Sequence, residues 1–282
     1  MPLAYFVDRF NPFLGPHWGP FGIRYYGLAY LLGFLVAGWL LYRYARAGRS
    51  QLPAAQIPDL MVAIVFGVLI GGRLGSYLLY DGWRNFTRDP LEILRVWDGG
   101  MASHGGMIGV TIALAWYARS HRLSFLHLGD LVTTTAPAGL LFGRIANFIN
   151  GELWGRISVV PWAVIFPRSA DPDTPLAHIP PRHPSQLYEA GLEGAFLLAY
   201  MQWRFWRTDL ARTQPGRLAG EFFLVYAIVR VIGETFREPD VGVSLIFGLS
   251  RGTFYSLFLV AVGLGLILNG RRQAQLPSPL AR

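Results

Sequence analysis

The 282-residue sequence has no cysteine and no lysine, and only 15% of its residues are charged. Without cysteine, no disulfide staples the fold and no thiolate of the chain itself serves as nucleophile or metal ligand. The low charge excludes an ordinary soluble domain, in which about a quarter of the residues are charged. All 25 basic residues are arginine. No local mechanism would exclude lysine everywhere, so this reads as a genomic composition bias. HExxH, CxxC, a metal-binding carboxylate cluster and a glycine-rich phosphate loop ending in lysine are all missing. Those absences argue against a metalloenzyme and a nucleotide-driven pump, and no metal or cofactor is expected. The N-terminus has no basic stretch followed by a short apolar run and a small-residue cleavage site, so nothing marks a cleaved signal peptide. No internal repeat or low-complexity segment is present.

What the chain does have is apolar sequence, 52% hydrophobic with a mean hydropathy of +0.34. A helix crossing about 30 Å of hydrocarbon needs roughly 20 mostly apolar residues. Segments 22–42, 59–80, 102–118, 129–150, 187–206, 218–236 and 251–269 meet or approach that requirement. The expected fold is therefore an all-α integral membrane protein, with residues 1–282 as one polytopic domain of about seven spans. The 151–186 connection, rich in proline and polar residues, reads as an extramembrane loop or small cap. The net charge of +8 fits arginine on membrane-flanking loops better than nucleic-acid binding. Loops 43–56, 119–127, 204–217 and 270–282 hold 12 arginines in 50 residues and a single acid, Asp209. The opposite loops, 1–24, 81–101, 151–186 and 237–251, hold 10 arginines and ten acids in 96 residues. The denser set is expected in the cytoplasm, which places the N-terminus and the 151–186 cap outside.

Polar residues within the spans then gather at one depth. At about 1.5 Å per residue, Arg73, Arg144 and Arg230 fall in the outer half of the membrane. Tyr26, His104, Glu189 and Glu193 occur near the outer starts of their spans. Six of the seven spans offer a polar group to this layer, and such residues face a bundle interior or a wet cavity in preference to lipid. Tyr226, Arg230 and Glu234 recur every four residues and so stack on one helix face. Each also has a plainer reading. Arg230 and Glu234 form an i,i+4 pair able to neutralise itself, Asn147 and Asn150 suit interhelical hydrogen bonding, and Arg73 could snorkel or pair structurally.

Arginine is the informative type, because its guanidinium stays charged and presents a planar fork that matches phosphate oxygens. Several arginines in the outer half suggest a phosphate-bearing ligand arriving from the membrane, and an anionic phospholipid headgroup fits better than a soluble anion. On this reading the cost of burying Arg144 is offset by a lipid phosphate, with Asn147 and Tyr26 as neutral donors. In "DGGMASHGGMIGV", residues 98–110, His104 stands beside Gly105 where backbone or a ligand can approach closely. A histidine there is either a structural donor or a proton acceptor near neutral pH.

The stretches "SHGGMIG" (103–109), "GRIANFINGELWGR" (143–156), "RHPSQLYEA" (182–190) and "GETFREPD" (233–240) closely resemble the bacterial prolipoprotein diacylglyceryl transferase family. They occur in the expected order through nearly the whole chain. Ala146 stands where the family often has glycine. The resemblance implies transfer of the diacylglyceryl group of phosphatidylglycerol to the lipobox cysteine of a prolipoprotein signal peptide. That reaction forms a thioether and releases glycerol 1-phosphate at the outer face of the bacterial inner membrane. It further implies that His104 is the candidate general base, while Arg144 and Arg230 hold the phosphate. Tyr26, Arg73, Gly105, Asn147, Glu152, Gly155, Tyr226 and Glu234 are the implied substrate-binding set. Within it Asn147 would orient the headgroup, Glu152 position an arginine or the loop, and Glu234 fix Arg230. A flippase for anionic lipid and a non-catalytic lipid-binding protein are the alternatives. The first typically shows repeated halves, and no such symmetry is seen here.

Overall fold

The computed structural model of the protein describes residues 5–18, 21–79, 91, 93, 100–239 and 246–275. Most of the 81–101 loop, Asp240 of the "GETFREPD" stretch and the end of the 270–282 tail lie outside the described residues. Every segment expected to span folds as helix, because an apolar run without water must close its own backbone hydrogen bonds. The helices are α1 (Tyr25–Arg46), α2 (Ile57–Leu79), α3 (Ser103–Ser120) and α4 (Phe125–Ile149). The fifth expected span is composite. It runs from α5 (Ser185–Glu189) through a π-helical stretch (Ala190–Phe196) into α6 (Leu197–Arg207). A short α7 (Leu210–Thr213) then leads to α8 (Arg217–Glu234) and α9 (Arg251–Gln275).

Three helices, Tyr25–Arg46, Ala54–Leu78 and Arg251–Gln273, are long and apolar enough to cross a bilayer. They turn bulky apolar residues outward. Leu35, Phe66 and Phe258 each stay more than half exposed, the inverse of a soluble surface and the arrangement lipid requires. The all-α expectation needs one correction, since two small sheets form outside the long helices. Strand β1 (Phe6–Val7) pairs in parallel with β4 (Val164–Ile165), and β2 (Phe13–Trp18) pairs antiparallel with β3 (Phe21–Arg24).

The chain divides into two compact units. In the unit Leu40–Leu131, α2 and α3 cross with their backbones touching. A Cβ on Gly75 would lie 2.5 Å from Gly105 Cα, and one on Gly71 would lie 2.7 Å from Gly109 Cα. Gly71 and Gly75 on one helix face Gly105 and Gly109 on the other, the small-residue spacing that lets membrane helices pack without side chains between them. At the far end of α3 the Tyr117 hydroxyl donates to the Gln56 carbonyl at 2.9 Å.

In the other unit, Met1–Trp39 with Val132–Arg282, the core lies along α6 and α8. Leu197, Met201, Phe205 and Leu218 are buried there. Helices α8 and α9 meet at a second glycine crossing, where a Cβ on Gly220 would lie 2.6 Å from the Gly263 carbonyl oxygen. Below it Glu221 accepts both Nε (2.6 Å) and a terminal nitrogen (2.7 Å) of Arg204, tying α6 to α8.

Candidate active site

The site in the larger unit begins with a close helix contact. A Cβ on Gly194 would lie 2.6 Å from Leu141 Cα, so α4 runs directly against the π-helical stretch. One turn beyond Leu141 is Arg144, and immediately before Gly194 is Glu193. Arg144 donates to one Glu193 oxygen from Nε at 3.2 Å and from a terminal nitrogen at 2.9 Å. Its other terminal nitrogen lies 2.9 Å from Glu189. From α8, Arg230 reaches the remaining oxygens of the same two acids, at 2.8 Å for Glu189 and 3.3 Å for Glu193. Both carboxylates are fully buried. Each therefore splits its two oxygens between two arginines, closing a four-membered ring of alternating charge.

Two further charges flank the ring. Glu234 sits 2.6 Å from the second terminal nitrogen of Arg230, so the expected pairing of Glu234 with Arg230 is present. Arg237 approaches Glu189 at 4.0 Å. Tyr226 stacks on Phe222 one turn before Arg230 and lies within electrostatic reach of Arg144 and Arg230. Buried carboxylates of this kind hold arginines in place only while every partner remains, because a lone buried charge is costly. The charge of Arg144 is thus matched by Glu189 and Glu193. That corrects the expectation that a lipid phosphate offsets its burial.

A second polar group gathers where α4 ends. One amide nitrogen of Asn147 donates to the Tyr26 hydroxyl at 2.5 Å and to Glu152 at 3.0 Å. Asn150 donates to the same Glu152 oxygen at 3.3 Å, and Gln186 donates to the Glu152 carbonyl at 2.6 Å. Glu152 therefore gathers two asparagines and positions the loop. Among the described residues amides and the Tyr26 hydroxyl meet Glu152, and no arginine does.

The cap is held to this group by backbone. Gly155 N–H donates to the His183 carbonyl (3.0 Å) and Arg156 N–H to the Phe236 carbonyl (2.9 Å). A Cβ on Gly155 would lie 2.6 Å from the Phe236 oxygen, so the close approach this glycine permits is to backbone. Arg168 donates to the Asn150 carbonyl. Beneath it Asp8 accepts the Phe10 amide at 3.1 Å, and burial raises its carboxyl above the usual range despite that bond and Arg168. His183, packed edge-on against Tyr188 and Phe236, is held below its ordinary pKa by desolvation.

The smaller unit contains His104, Gly105 and Arg73. His104 lies in the first turn of α3, half-buried. Gly105 makes its close approach to the Gly75 backbone of α2. Arg73 is buried and donates to the carbonyls of Ile93 (2.9 Å) and Gly100 (3.2 Å), which ties it to the loop after α2. Sequence reading gave Glu189 and Glu193 a depth and no role, and it passed over Arg237, Gly194 and Gly252. The i,i+4 spacing of Glu189 and Glu193 was the available signal. It puts two acids on one face of a segment that has no basic partner of its own nearby.

With this geometry in place, comparison with known proteins decides the family. The prolipoprotein diacylglyceryl transferase family model matches residues 15–269. The chain belongs to that family. A relative from Zymomonas mobilis, named phosphatidylglycerol–prolipoprotein diacylglyceryl transferase, is 45% identical over 253 residues, covering 89% of this chain and 85% of its own. The protein of the same name from Rhodospirillum rubrum is 45% identical over 271 residues, 94% of each chain. That from Bradyrhizobium diazoefficiens is 43% identical over 274 residues, covering 93% of this chain and 92% of its own.

Proposed function

We infer that this chain moves the diacylglyceryl group of phosphatidylglycerol onto the lipobox cysteine thiol of a prolipoprotein. A thioether forms and glycerol 1-phosphate leaves, the first step of bacterial lipoprotein maturation. The observation that carries the reading is the pairing of Arg144 with Arg230 across two shared carboxylates, in a chain whose relatives bear this activity in their names. Two oriented guanidinium forks suit a phosphodiester whose charge grows as its ester bond breaks.

The substrate thiol, with an ordinary pKa of about 8.5, must lose its proton to become a good nucleophile. His104 takes that proton. Sulfur attacks the glycerol carbon bearing the phosphate, the carbon–oxygen bond breaks, and its electron pair stays with the departing phosphate. Arg144 and Arg230 stabilise that charge, and the proton is returned to the phosphate or to water. Tyr26, Asn147 and Glu152 orient the headgroup, Tyr226 and Glu234 set Arg230, and Arg73, Gly105 and Gly155 shape the surroundings. The protein acts as a seven-span domain of the bacterial inner membrane over residues 1–282. Its polar cavity lies in the outer half, the 151–186 cap and N-terminus are periplasmic, and the C-terminus is cytoplasmic. Purified protein incubated with phosphatidylglycerol and a lipobox peptide should add the diacylglyceryl mass to the peptide cysteine. A serine in place of that cysteine should abolish the addition. No mass change on the cysteine peptide overturns the reading.

A further inference from the structure

The ring around Arg144 and Arg230 holds more acid than fixing two arginines requires. Glu189 and Glu193 are each fully buried and each divided between both arginines. Glu234 adds a third carboxylate at 2.6 Å from Arg230. With Arg237 beside Glu189, the described cluster has three guanidinium groups and three carboxylates, and its charges cancel. One bidentate carboxylate suffices to orient a guanidinium. Arg144 meets two and Arg230 meets three, which points to a setting of net charge.

That setting matters because substrate and product differ in charge. A phosphodiester headgroup carries one negative charge. The phosphate monoester that leaves carries between one and two at neutral pH, since its second pKa is about 6. Uncompensated arginines would hold the product more tightly than the substrate. In a neutral cluster the arginine forks still donate hydrogen bonds to either, while the product's extra charge finds no matching surplus. Resting on the transferase reading, we propose that Glu189, Glu193 and Glu234 neutralise the arginines so that the phosphate monoester is released after transfer. They act through the arginines and are specificity-determining residues for the phosphate state.

The test measures inhibition by added glycerol 1-phosphate during transfer from phosphatidylglycerol to a lipobox peptide. Glu193→Gln and Glu234→Gln each leave the cluster one positive charge in excess, and Glu238→Gln, at an acid 43% exposed, is the control. One unit of charge a few ångströms away at an effective dielectric of about 20 is worth about tenfold or more in affinity. The inhibition constant should fall by about tenfold in both test variants and stay unchanged in the control. Steady-state turnover should fall by a larger factor than the first turnover, the signature of slowed release. Inhibition that is unchanged or weaker, or a first turnover that falls in parallel with the steady state, overturns the proposal. Glu234→Gln decides the matter if Glu193→Gln does not fold, because its acid is only partly buried and Arg230 retains two other carboxylates. A wild-type protein that transfers nothing removes the transferase reading itself. Normal wild-type transfer with unaltered inhibition in the variants removes this proposal alone.

Discussion

Glu189 sets one carboxylate oxygen 2.9 Å from Arg144 and the other 2.8 Å from Arg230. One buried acid thus joins a helix from the middle of the chain to one near its end, and Glu193 repeats the bridge. The arginines are fixed before any ligand arrives, the preorganisation that electrostatic catalysis requires.

Arg144 is the first residue to test. Arg144→Ala should lower transfer by at least about a hundredfold, the scale seen when a charge-stabilising donor is removed from a reacting centre. Arg144→Lys should recover only part of the activity, because an ammonium cannot contact both Glu189 and Glu193 as the fork does. Peptide lipidation followed by mass spectrometry measures both variants, and membrane extraction checks that insertion is intact. Near-normal turnover in Arg144→Ala would remove this arginine from the phosphate role.

Gly252 tests the same pair from the seventh long helix, which reads as contributing nothing when only polar residues are sought. A Cβ there would lie 2.7 Å from Glu234 and 2.9 Å from a terminal nitrogen of Arg230. Alanine is the better helix former by up to about 1 kcal/mol, which offsets part of the cost of moving Glu234 and Arg230, so Gly252→Ala should change thermal stability little. Transfer should nonetheless fall several-fold as the ion pair is displaced. Activity and melting temperature measured together separate this outcome from simple unfolding.

Gly109 belongs to packing. A Cβ at this position would lie 2.9 Å from Gly71 Cα, so Gly109→Val must push α2 and α3 apart. Overpacking at a close contact typically costs about 1–3 kcal/mol. A melting temperature in detergent lowered by several degrees is the expected result, and an unchanged value would show that the crossing can open at little cost.

His183 links the cap to pH. Its folded pKa is held below the ordinary value by desolvation, so the folded cap favours the neutral ring. The unfolded segment takes up a proton first as pH falls through about 6.5, and stability should decline from there towards the lower folded pKa. Above that window the contribution is fully present. The protection of the Gly155 amide, which is bonded to the His183 carbonyl, should fall in mildly acidic buffer once hydrogen exchange is corrected for its slower intrinsic rate there. His183→Gln should flatten the dependence.

The helices were legible because long apolar runs have few other ways to satisfy their backbone, and Arg144 and Arg230 stood out because arginine is rare in such runs. The partners of those arginines were not legible. Glu189 and Glu193 appear in sequence as an isolated i,i+4 pair, and only tertiary packing brings α4 and α8 to them. The π-helical stretch at Ala190–Phe196 leaves no periodic signal distinct from an α-helix over so few residues. Two-residue strands such as β1 and β4 are too short to show alternation. Gly105 announced a close approach, but a glycine does not say whether backbone or ligand comes near.

Asn147 carries the last prediction. Its side-chain amide donates to both the Tyr26 hydroxyl and Glu152, and it is buried. Asn147→Asp keeps the shape but replaces the donor with a carboxylate facing Glu152. A hydrogen bond becomes a repulsion, and the Tyr26 hydroxyl must turn to donate. Leaving buried polar groups unmatched costs about 1–3 kcal/mol, so the melting temperature should drop modestly. Transfer should fall by about tenfold or more, because Tyr26, Asn147 and Glu152 are set as one unit. The double variant Asn147→Asp with Glu152→Gln restores a donor opposite the acid and should recover part of both losses. Failure of the double variant to improve on the single one would show that Asn147 acts independently of Glu152.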